Sequence, residues 1–330
     1  MKIHLDGKTV IDNVILAPMS GVTDMPYRSL VKTFGAGLVV SEMVASRAMI
    51  LQTRDTIKKI AISENEDITA IQLAGFEPDV MAEAAKMNEE MGARIIDINF
   101  GCPVKKVVNG YAGSYLMKDE LHAAKILEAT VNAVKIPVTL KMRTGWDENH
   151  KNATRLAKIA ENLGIKMITI HGRTRAQMYK GKSDWNFIGE VKNAVKIPVI
   201  ANGDIKTYDD VEKAFSESGA DGIMIGRGAY GKPWIIRNIL HFLKTGERLA
   251  EPNIQEKVKI ITRHIRAMVN HYGEETGVRI ARKHVLWYSA TYKNSAEFRC
   301  EICGESSSER MLSKIEDFFS TVAPQSAINR

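Results

Sequence analysis

The chain has 330 residues, of which 45% are apolar and 26% charged, a composition typical of a globular protein with a substantial core. No apolar run approaches the roughly 18 residues that a membrane-spanning helix needs, and residues 1–7 carry charge where a signal peptide needs an apolar stretch. We therefore expect a cytoplasmic protein. The net charge of +7 favours a polyanionic partner over a membrane.

The first residues predict a short β-hairpin. Residues 2–5 and 8–11 are strand-like, and Asp6-Gly7 between them is a pair typical of a two-residue turn.

From residue 14 onward, short strands rich in β-branched residues alternate with helical segments, among them 78–91, 119–134, 153–163 and 209–218. The strands are predicted at 14–19, 38–43, 69–73, 95–99, 138–142, 167–171, 199–202 and 222–226. Ile-Pro-Val follows Asn-Ala-Val-Lys at both 132–138 and 193–199, which indicates a repeated βα unit. Eight such units predict a (β/α)8 TIM barrel. A doubly wound sheet needs Gly-x-Gly-x-x-Gly after its first strand, and residues 17–21 do not supply it.

The alternation stops near residue 248. Residues 251–253, Glu-Pro-Asn, resemble a linker, and amphipathic helices are predicted at 254–272, 278–292 and 308–322 with no strand between them. We predict a barrel domain over 1–247 and a smaller, all-helical domain over 248–330.

Polar side chains follow the predicted strands at the end where TIM barrels carry their active sites. Lys141 interrupts an apolar strand, where it either reaches out to solvent or places a positive charge beside an electron-rich group such as a reduced flavin. Gln72 suits the amide edge of such a ring. His171 is either a core histidine or part of an exposed, basic loop, and the arginines that follow it favour the loop.

The loops after the seventh and eighth strands contain glycine, at 201–204 and 225–228. In this fold those loops commonly bind phosphate, because glycine lets backbone N–H groups approach an oxyanion, and Arg227 adds positive charge. The two loops predict a phosphorylated ligand.

Cys102 follows the fourth strand, after Gly101 and before Pro103, with Lys105 and Lys106 close behind. It is either a small apolar residue in a turn or a reactive thiol at the mouth of the barrel. Cys300 and Cys303 form a Cys-x-x-Cys without the second pair that a zinc site needs, so we expect no metal and two thiols near a helix end.

Basic residues concentrate in the loop 173–182 and on the helix that carries Arg279, Arg282 and Lys283, which share one face. The helix face is either merely solvated or suited to nucleic acid, with phosphate contacts and with stacking on Trp287, Tyr288 and Tyr292.

Several motifs resemble, in order and spacing, those of the tRNA-dihydrouridine synthases. They are residues 17–28 (APMSGVTDMPYR), 97–103 (DINFGCP) with 110–114 (GYAGS), 141–146 (KMRTGW), 171–175 (HGRTR), 201–204 (ANGD) and 224–228 (MIGRG). Residues 279–284 (RIARKH), with Trp287 and Tyr288, resemble the bacterial B-type branch. Ser20 stands where alanine is common in the family.

The resemblance implies an FMN-dependent enzyme that uses NADPH to reduce the C5=C6 bond of tRNA uridines to dihydrouridine, in the D-loop, with position 17 as the expected site. Cys102 would be the general acid that protonates C5. The implied FMN contacts are Pro18, Met19, Ser20, Gln72, Lys141, His171, Asn202, Gly203, Asp204, Gly226 and Arg227. The implied tRNA contacts are Asn99, Arg143, Arg173, Arg175, Arg279, Arg282 and Lys283.

Two other classes of function remain open on the sequence. One is a flavin enzyme acting on free pyrimidines, of the dihydroorotate dehydrogenase kind, for which a basic helical domain is superfluous. The other is a non-catalytic RNA-binding barrel, which would not require the polar set at the strand ends. Nothing demands a dimer, so we expect a monomer.

Overall fold

The computed structural model describes residues 2–321, without the side chains of residues 54 and 55. It opens with the predicted hairpin, in which β1 (Lys2–His4) pairs antiparallel with β2 (Val10–Asp12). The predicted two-residue turn is wrong. The Leu5 N–H donates to the Thr9 carbonyl at 3.0 Å, so the loop comprises residues 6–8. The Asp6 carboxylate accepts the N–H groups of Lys8 and Thr9 and thereby stabilises this longer loop.

A closed parallel barrel follows, and it confirms the predicted fold. Its strands are β3 (Val14–Leu16), β4 (Leu38–Val40), β5 (Val44–Ala45), β6 (Thr69–Ala74), β7 (Ile95–Phe100), β8 (Val138–Arg143), β9 (Met167–His171), β10 (Val199–Asn202) and β11 (Gly222–Ile225). The barrel closes because β3 pairs with both β4 and β11, so that Ile15 lies beside Leu38 and Met224.

The second predicted strand, 38–43, is strand only as far as Val40 at the end of β4, and β5 begins beyond it at Val44; both β4 and β5 pair with β6. The break lies at residues 41–43. The Ser41 N–H still bonds the Ala70 carbonyl at 2.9 Å, but the Gln72 N–H donates to the Ser41 hydroxyl at 3.0 Å. The Ser41 hydroxyl therefore takes the place of a backbone carbonyl as the acceptor for Gln72, and the hydrogen-bond ladder with β6 is interrupted there.

The hairpin belongs to the core at the N-terminal end of the barrel. Ile3, Leu5 and Ile11 cluster with strand residues such as Ile15 and Ile200. This apolar plug covers one end of the barrel, so the polar side chains lie at the other end, where the strands terminate.

Helices surround the barrel, and the four predicted between strands are confirmed to within about two residues. The helices of this unit are α1 (Met25–Lys32), α2 (Ser46–Ile50), α3 (Arg54–Ile60), α4 (Pro78–Glu90), α5 (Lys105–Val108), α6 (Glu120–Ala133), α7 (Ala153–Asn162), α8 (Trp185–Ala194) and α9 (Tyr208–Ser218). On α4 the buried residues Met81, Ala84, Ala85 and Asn88 recur at helical spacing and form the inner face.

The chain divides into two compact units between Gly228 and Ala229. The described part of the second unit is helical, as predicted, with α10 (Ile235–Thr245), α11 (Ile254–Tyr272), α12 (Glu274–Ser289), α13 (Ser295–Gly304) and α14 (Ser308–Thr321). The last predicted helix extends to Val322, which lies outside the described residues. This division between the units lies before the predicted domain boundary at 247/248, because α10 belongs to the same unit as the later helices. The boundary at 247/248 between a catalytic and a tRNA-binding domain stays a prediction. Within residues 2–321, no helix combines the length and apolarity needed to cross a membrane.

Candidate active site

Four buried polar side chains on β6, β7 and β8 form a hydrogen-bonded network. Gln72 donates from Nε2 to Asp97 Oδ2 at 2.7 Å and accepts at Oε1 from Asn99 Nδ2, also at 2.7 Å. Thr139 Oγ1 donates to Asp97 Oδ1 at 2.6 Å. Asp97 had no assigned role in the sequence analysis. Its position two residues before Asn99, on the same side of a strand, is the signal that could have revealed it.

Asn99 also fixes the loop that carries Cys102. Its Oδ1 accepts the N–H groups of Gly101 at 2.9 Å and Cys102 at 2.8 Å. From the other side, the Ser114 N–H and hydroxyl donate to the Cys102 carbonyl at 3.1 and 2.8 Å. Gly113, at φ +62°, makes this approach possible, since a Cβ there would lie 2.9 Å from that carbonyl oxygen. The thiol is thereby held at the end of β7.

Burial controls the ionisation of Cys102. It raises the pKa of the half-buried thiol above its usual 9.0, although the Val104 N–H, Arg143 and Lys141 act in the opposite direction. Cys102 is therefore protonated at neutral pH and can donate a proton.

Lys141 on β8 is buried and does not extend to solvent. Its Nζ donates to Asn202 Oδ1 at 3.0 Å, and Asn202 Nδ2 donates to the Met224 carbonyl at 2.7 Å, so one chain of hydrogen bonds connects β8, β10 and β11. Burial, with a contribution from the charge of Arg143, lowers the pKa of Lys141 to about 8. Such an ammonium group is poised to bind an anionic or electron-rich partner.

His171 is buried, so the expectation that it belongs to an exposed loop mouth is wrong for its ring. Burial, reinforced by the charges of Lys141 and Arg143, lowers its pKa well below 6.5, and the ring is neutral at physiological pH. Arg173 Nη1 lies 3.3 Å from His171 Nε2. Because a guanidinium can only donate, Nε2 is assigned as the acceptor, and Nδ1 carries the proton.

The loops after β10 and β11 are closely packed. At Gly203, φ is +115° and a Cβ would lie 2.5 Å from Ser183 Oγ and 2.8 Å from His171 Cδ2, so only glycine fits. At Gly226 a Cβ would make ordinary contact with Met19 Sδ at 3.5 Å. Asp204 Oδ2 accepts from Arg173 Nη2 at 2.6 Å, and Oδ1 lies 3.8 Å from Arg227. The Arg227 guanidinium remains half exposed, 4.9 Å from the Tyr179 ring.

The loop after β3 contributes Pro18 and Met19, which are half-buried, and Ser20, which is exposed. The Met19 N–H donates to Thr23 Oγ1 at 2.9 Å, and the Gly21 N–H donates to the Glu42 carboxylate at 2.7 Å. These two bonds fix the loop at the barrel mouth.

Three of the arginines that we expected to contact tRNA are committed to hydrogen bonds with the protein itself. Arg143 donates to the carbonyls of Gly101 (2.7 Å), Thr174 (2.8 Å) and Met178 (2.9 Å), and Arg173 donates to those of Lys180 (3.0 Å) and Gly181 (2.7 Å). Both are nearly inaccessible, at 1% and 2% exposure. Arg282 donates twice to the Glu305 carbonyl, at 2.9 and 2.6 Å.

Of the other residues expected to contact tRNA, Asn99 is buried, and three are at least partly accessible. Arg279 is exposed, Lys283 is half-buried, and Arg175 lies half-buried with its guanidinium 4.5 Å from the Trp146 ring. The suggestion that bases stack on Tyr288 and Tyr292 is wrong, because both rings are buried in the helical core.

Cys300 and Cys303 lie on α13 with exposed side chains, in agreement with thiols near a helix end. Across residues 2–321, no three His, Cys, Asp or Glu side chains are grouped so that they could hold a metal ion.

A closed parallel barrel whose strand ends carry a buried lysine, a neutral histidine and a protonated thiol defines a TIM-barrel enzyme. Solved structures agree on the fold. Histamine dehydrogenase from Rhizobium sp. 4-9 has a TM-score of 0.57 at 13% identity, covering 81% of this chain and 50% of that one. Morphinone reductase has a TM-score of 0.53 at 13% identity, covering 78% of this chain and 93% of that one.

Sequence comparison makes the assignment more specific. The family model described as "Dihydrouridine synthase (Dus)" matches residues 15–323. A "Probable tRNA-dihydrouridine synthase" from Rickettsia conorii is 61% identical over 311 residues, which is 94% of each chain. "tRNA-dihydrouridine synthase B" from Pseudomonas putida is 47% identical over 312 residues, covering 94% of this chain and 93% of the relative. The chain belongs to the dihydrouridine synthase family, and the resemblance identified from its motifs is confirmed.

Proposed function

We propose that this protein reduces the C5=C6 bond of uridines in tRNA, with FMN as its bound cofactor and NADPH as the reductant. The observation that carries the proposal is the protonated Cys102 thiol, held by Asn99 and Ser114 at the end of β7. The names of the relatives in Rickettsia conorii and Pseudomonas putida support tRNA as the substrate.

The residues at the barrel mouth fit FMN. The Lys141 ammonium and the His171 Nδ1–H are donors suited to the nitrogen and oxygen atoms of a flavin ring, and Gln72 keeps one N–H beyond its bond to Asp97. Gly203, Gly226 and Arg227 suit the phosphate, while Asp204 holds Arg173 and the neighbouring loop in place. The ring would lie beside Pro18, Met19 and Ser20, with Asn202 orienting Lys141. FMN, when bound, supplies a hydride to C6 from one face of the uracil.

Cys102 supplies the proton. Reduction of C5=C6 leaves negative charge at C5 and O4, which a donor on the opposite face must neutralise. A thiol whose pKa is raised by burial keeps its proton at neutral pH, so Cys102 meets this requirement. Lys105 and Lys106 are exposed on α5 and suit RNA phosphates rather than thiolate formation.

Recognition of tRNA uses the accessible basic residues. We assign phosphate contacts to Arg175, Arg279 and Lys283. Asn99, Arg143 and Arg173 instead position the loops that form the site, and Arg282 holds the Glu305 carbonyl within the helical unit. The target uridine leaves the base stack to reach the barrel mouth. By its B-type relatives it is a D-loop uridine, with position 17 as the specific proposal, modified by a cytoplasmic monomer.

The test is a position-by-position map of dihydrouridine in tRNA from cells lacking this gene, complemented with wild type or with Cys102→Ala. We expect one D-loop dihydrouridine to disappear, to return with wild type, and to stay scarce with Cys102→Ala. If purified flavin-loaded protein reduces free pyrimidines but leaves tRNA unchanged, the assignment of substrate is wrong.

A further inference from the structure

We infer that an aromatic stripe beside the Cys102 loop stacks the tRNA bases that flank the target uridine; this inference rests on the proposed function. The aromatic stripe consists of Phe76, Tyr111, Tyr115, His122 and Trp146.

The five rings are in continuous contact. The ring centroids of Phe76 and His122 are 4.0 Å apart and stacked, those of Phe76 and Tyr111 are 5.4 Å apart, and those of Tyr111 and Tyr115 are 5.0 Å apart. Trp146 extends the series 6.4 Å beyond Tyr115. Each of the five side chains is at least partly accessible, and Tyr111 is 53% exposed. The stripe is therefore a surface and not part of the core.

Tyr111 occupies a backbone conformation that disfavours it. Its φ is +58°, shortly after the end of α5, where glycine or asparagine is the usual choice. A bulky side chain in this region costs about 1 kcal/mol or more. Because the ring is still 53% exposed, much of its apolar surface stays in water, and its placement points to a ligand that contacts it.

The stripe is tied to the reacting thiol. Ser114, between Tyr111 and Tyr115 in the sequence, donates two hydrogen bonds to the Cys102 carbonyl. At the other end, His122 Nε2 lies 2.6 Å from the Phe76 carbonyl, which fixes the stacked pair in place. Bases that pack on these rings are held in a defined relation to Cys102.

The charges around the stripe complement RNA. Lys118 Nζ lies 4.7 Å and the Arg175 guanidinium 4.5 Å from the Trp146 ring, and α5 adds the exposed Lys105 and Lys106. Aromatic rings interleaved with cations are the arrangement that binds single-stranded nucleic acid, because bases stack while phosphates meet positive charge.

The bases that bind the aromatic stripe are identified by what happens when the target uridine leaves the tRNA base stack. When a uridine leaves the stack, its two neighbours each lose a stacking partner, at a cost of a few kcal/mol. Exposed rings beside the thiol loop replace that lost contact, and the neighbours of the target uridine are the bases nearest to it.

The experiment uses flavin-loaded protein and a tRNA with 2-aminopurine next to the uridine that the enzyme reduces. We expect wild type and Tyr111→Phe to quench the 2-aminopurine fluorescence, and Tyr111→Leu and Tyr111→Asn to lose most of the quenching. The same two variants should bind tRNA about tenfold more weakly. The rate at which NADPH reduces the flavin without tRNA should be unchanged in all three Tyr111 variants. The control variant is Met91→Ala, which alters an exposed apolar residue at the end of α4. Its fluorescence quenching, tRNA affinity and flavin reduction should all equal those of wild type.

Tyr111→Asn separates binding from folding. Asparagine accepts a positive φ, so this variant should melt at the wild-type temperature or above it while binding tRNA more weakly. Parallel loss of melting temperature and affinity would show that Tyr111 has a structural role and would overturn the inference. Full quenching and wild-type affinity in Tyr111→Leu would also overturn it. If wild type forms dihydrouridine in no tRNA, the proposed function itself has failed.

Discussion

Cys102 is a thiol near two cationic side chains that nevertheless keeps its proton. Lys141 and Arg143 both favour the thiolate, yet burial has the larger effect and raises the pKa of Cys102. The same burial lowers the pKa of Arg143 to about 10 and that of Lys141 to about 8. At this site, removal from water dominates over attraction between opposite charges.

The first prediction concerns the pH dependence of uridine reduction. A general acid must be protonated, so the part of the single-turnover rate that depends on the thiol should not fall until the pH exceeds the ordinary thiol pKa of 9.0. The rate at which tRNA reoxidises pre-reduced protein, followed by flavin absorbance from pH 7 to 10, measures this. Cys102→Ser, whose hydroxyl does not titrate in this range, shows any decline that comes from Lys141, whose pKa is about 8. A decline centred below pH 9 that is present in wild type and absent from Cys102→Ser would contradict the protonated thiol.

The second prediction concerns Lys141. Its folded-state pKa of about 8 lies below the unfolded value of 10.5, so the charged group destabilises the folded protein below pH 8 and the penalty disappears as pH rises to 10.5. Lys141→Met should therefore stabilise the flavin-free protein by about 2 kcal/mol at pH 7 and weaken FMN binding. Urea unfolding and FMN fluorescence titration measure the two effects. A stability gain that does not shrink between pH 8 and pH 10 would rule out the ionisation argument.

The sequence predicted which side chains gather at the barrel mouth, but it did not reveal which arginines there are bonded to backbone carbonyl groups. Cys102, Lys141 and Asn202 were found because each lies at or just after the end of a strand. Arg143 and Arg173 were assigned to tRNA from the family resemblance, and an arginine looks the same in sequence whether it meets phosphates or carbonyl groups. Only the three-dimensional contacts distinguish those cases.

At the level of elements, local patterns failed where a side chain took over a backbone hydrogen bond. Asp6 converted the predicted two-residue turn into the loop 6–8, and the Ser41 hydroxyl accounts for the end of the second predicted strand at Val40. In the second unit, α11, α12 and α14 were predicted because their apolar spacing needs no such knowledge, whereas α10 and α13 were missed. Side-chain competition of this kind is not visible in hydrophobic periodicity.

The third prediction concerns α1, which is anchored by a buried ion pair. Arg28 donates to the Thr23 carbonyl at 2.9 Å and lies 3.3 Å from the Glu66 carboxylate, and both side chains are fully buried. Arg28→Met should destabilise the protein by about 3–5 kcal/mol, because Glu66 is left buried without its partner.

Urea unfolding measures this loss. Arg47→Met, which breaks the exposed pair with Glu77, is the matched control and should change the midpoint little. Adding Glu66→Gln to Arg28→Met should recover part of the loss. Equal effects of Arg28→Met and Arg47→Met would contradict the assigned role of burial.

At the level of the whole molecule, buried neutral histidines make both units sensitive to acid. In the helical unit, His264 and His284 are buried with ring centroids 4.7 Å apart, and His264 Nδ1 lies 3.1 Å from the Tyr288 hydroxyl. Burial, aided by the charge of Lys283, lowers the pKa of His264 to about 3, and burial lowers that of His284 well below 6.5. Both rings are neutral in the folded protein near neutral pH.

The fourth prediction follows from these depressed pKa values. The unfolded chain binds protons at these histidines below about pH 6.5 and the folded chain does not, so stability should fall as the pH drops from 6.5 to 5. Each histidine contributes about 1 kcal/mol per pH unit. Circular dichroism with urea at several pH values measures the slope, and His264→Gln should reduce it by up to one proton. An unchanged slope in that variant would exclude His264 as a cause.

Arg143 connects two loops at the barrel mouth that are far apart in the sequence. Its guanidinium binds the Gly101 carbonyl next to Cys102 and the carbonyls of Thr174 and Met178 beyond β9. A displacement that carries the thiol toward a bound base must move the backbone at 174–178 with it or break a hydrogen bond of a buried cation. The loop that carries Cys102 and the basic loop after β9 are therefore expected to move together. The position of the Cys102 thiol then depends on the position of that basic loop, to which Arg143 connects it.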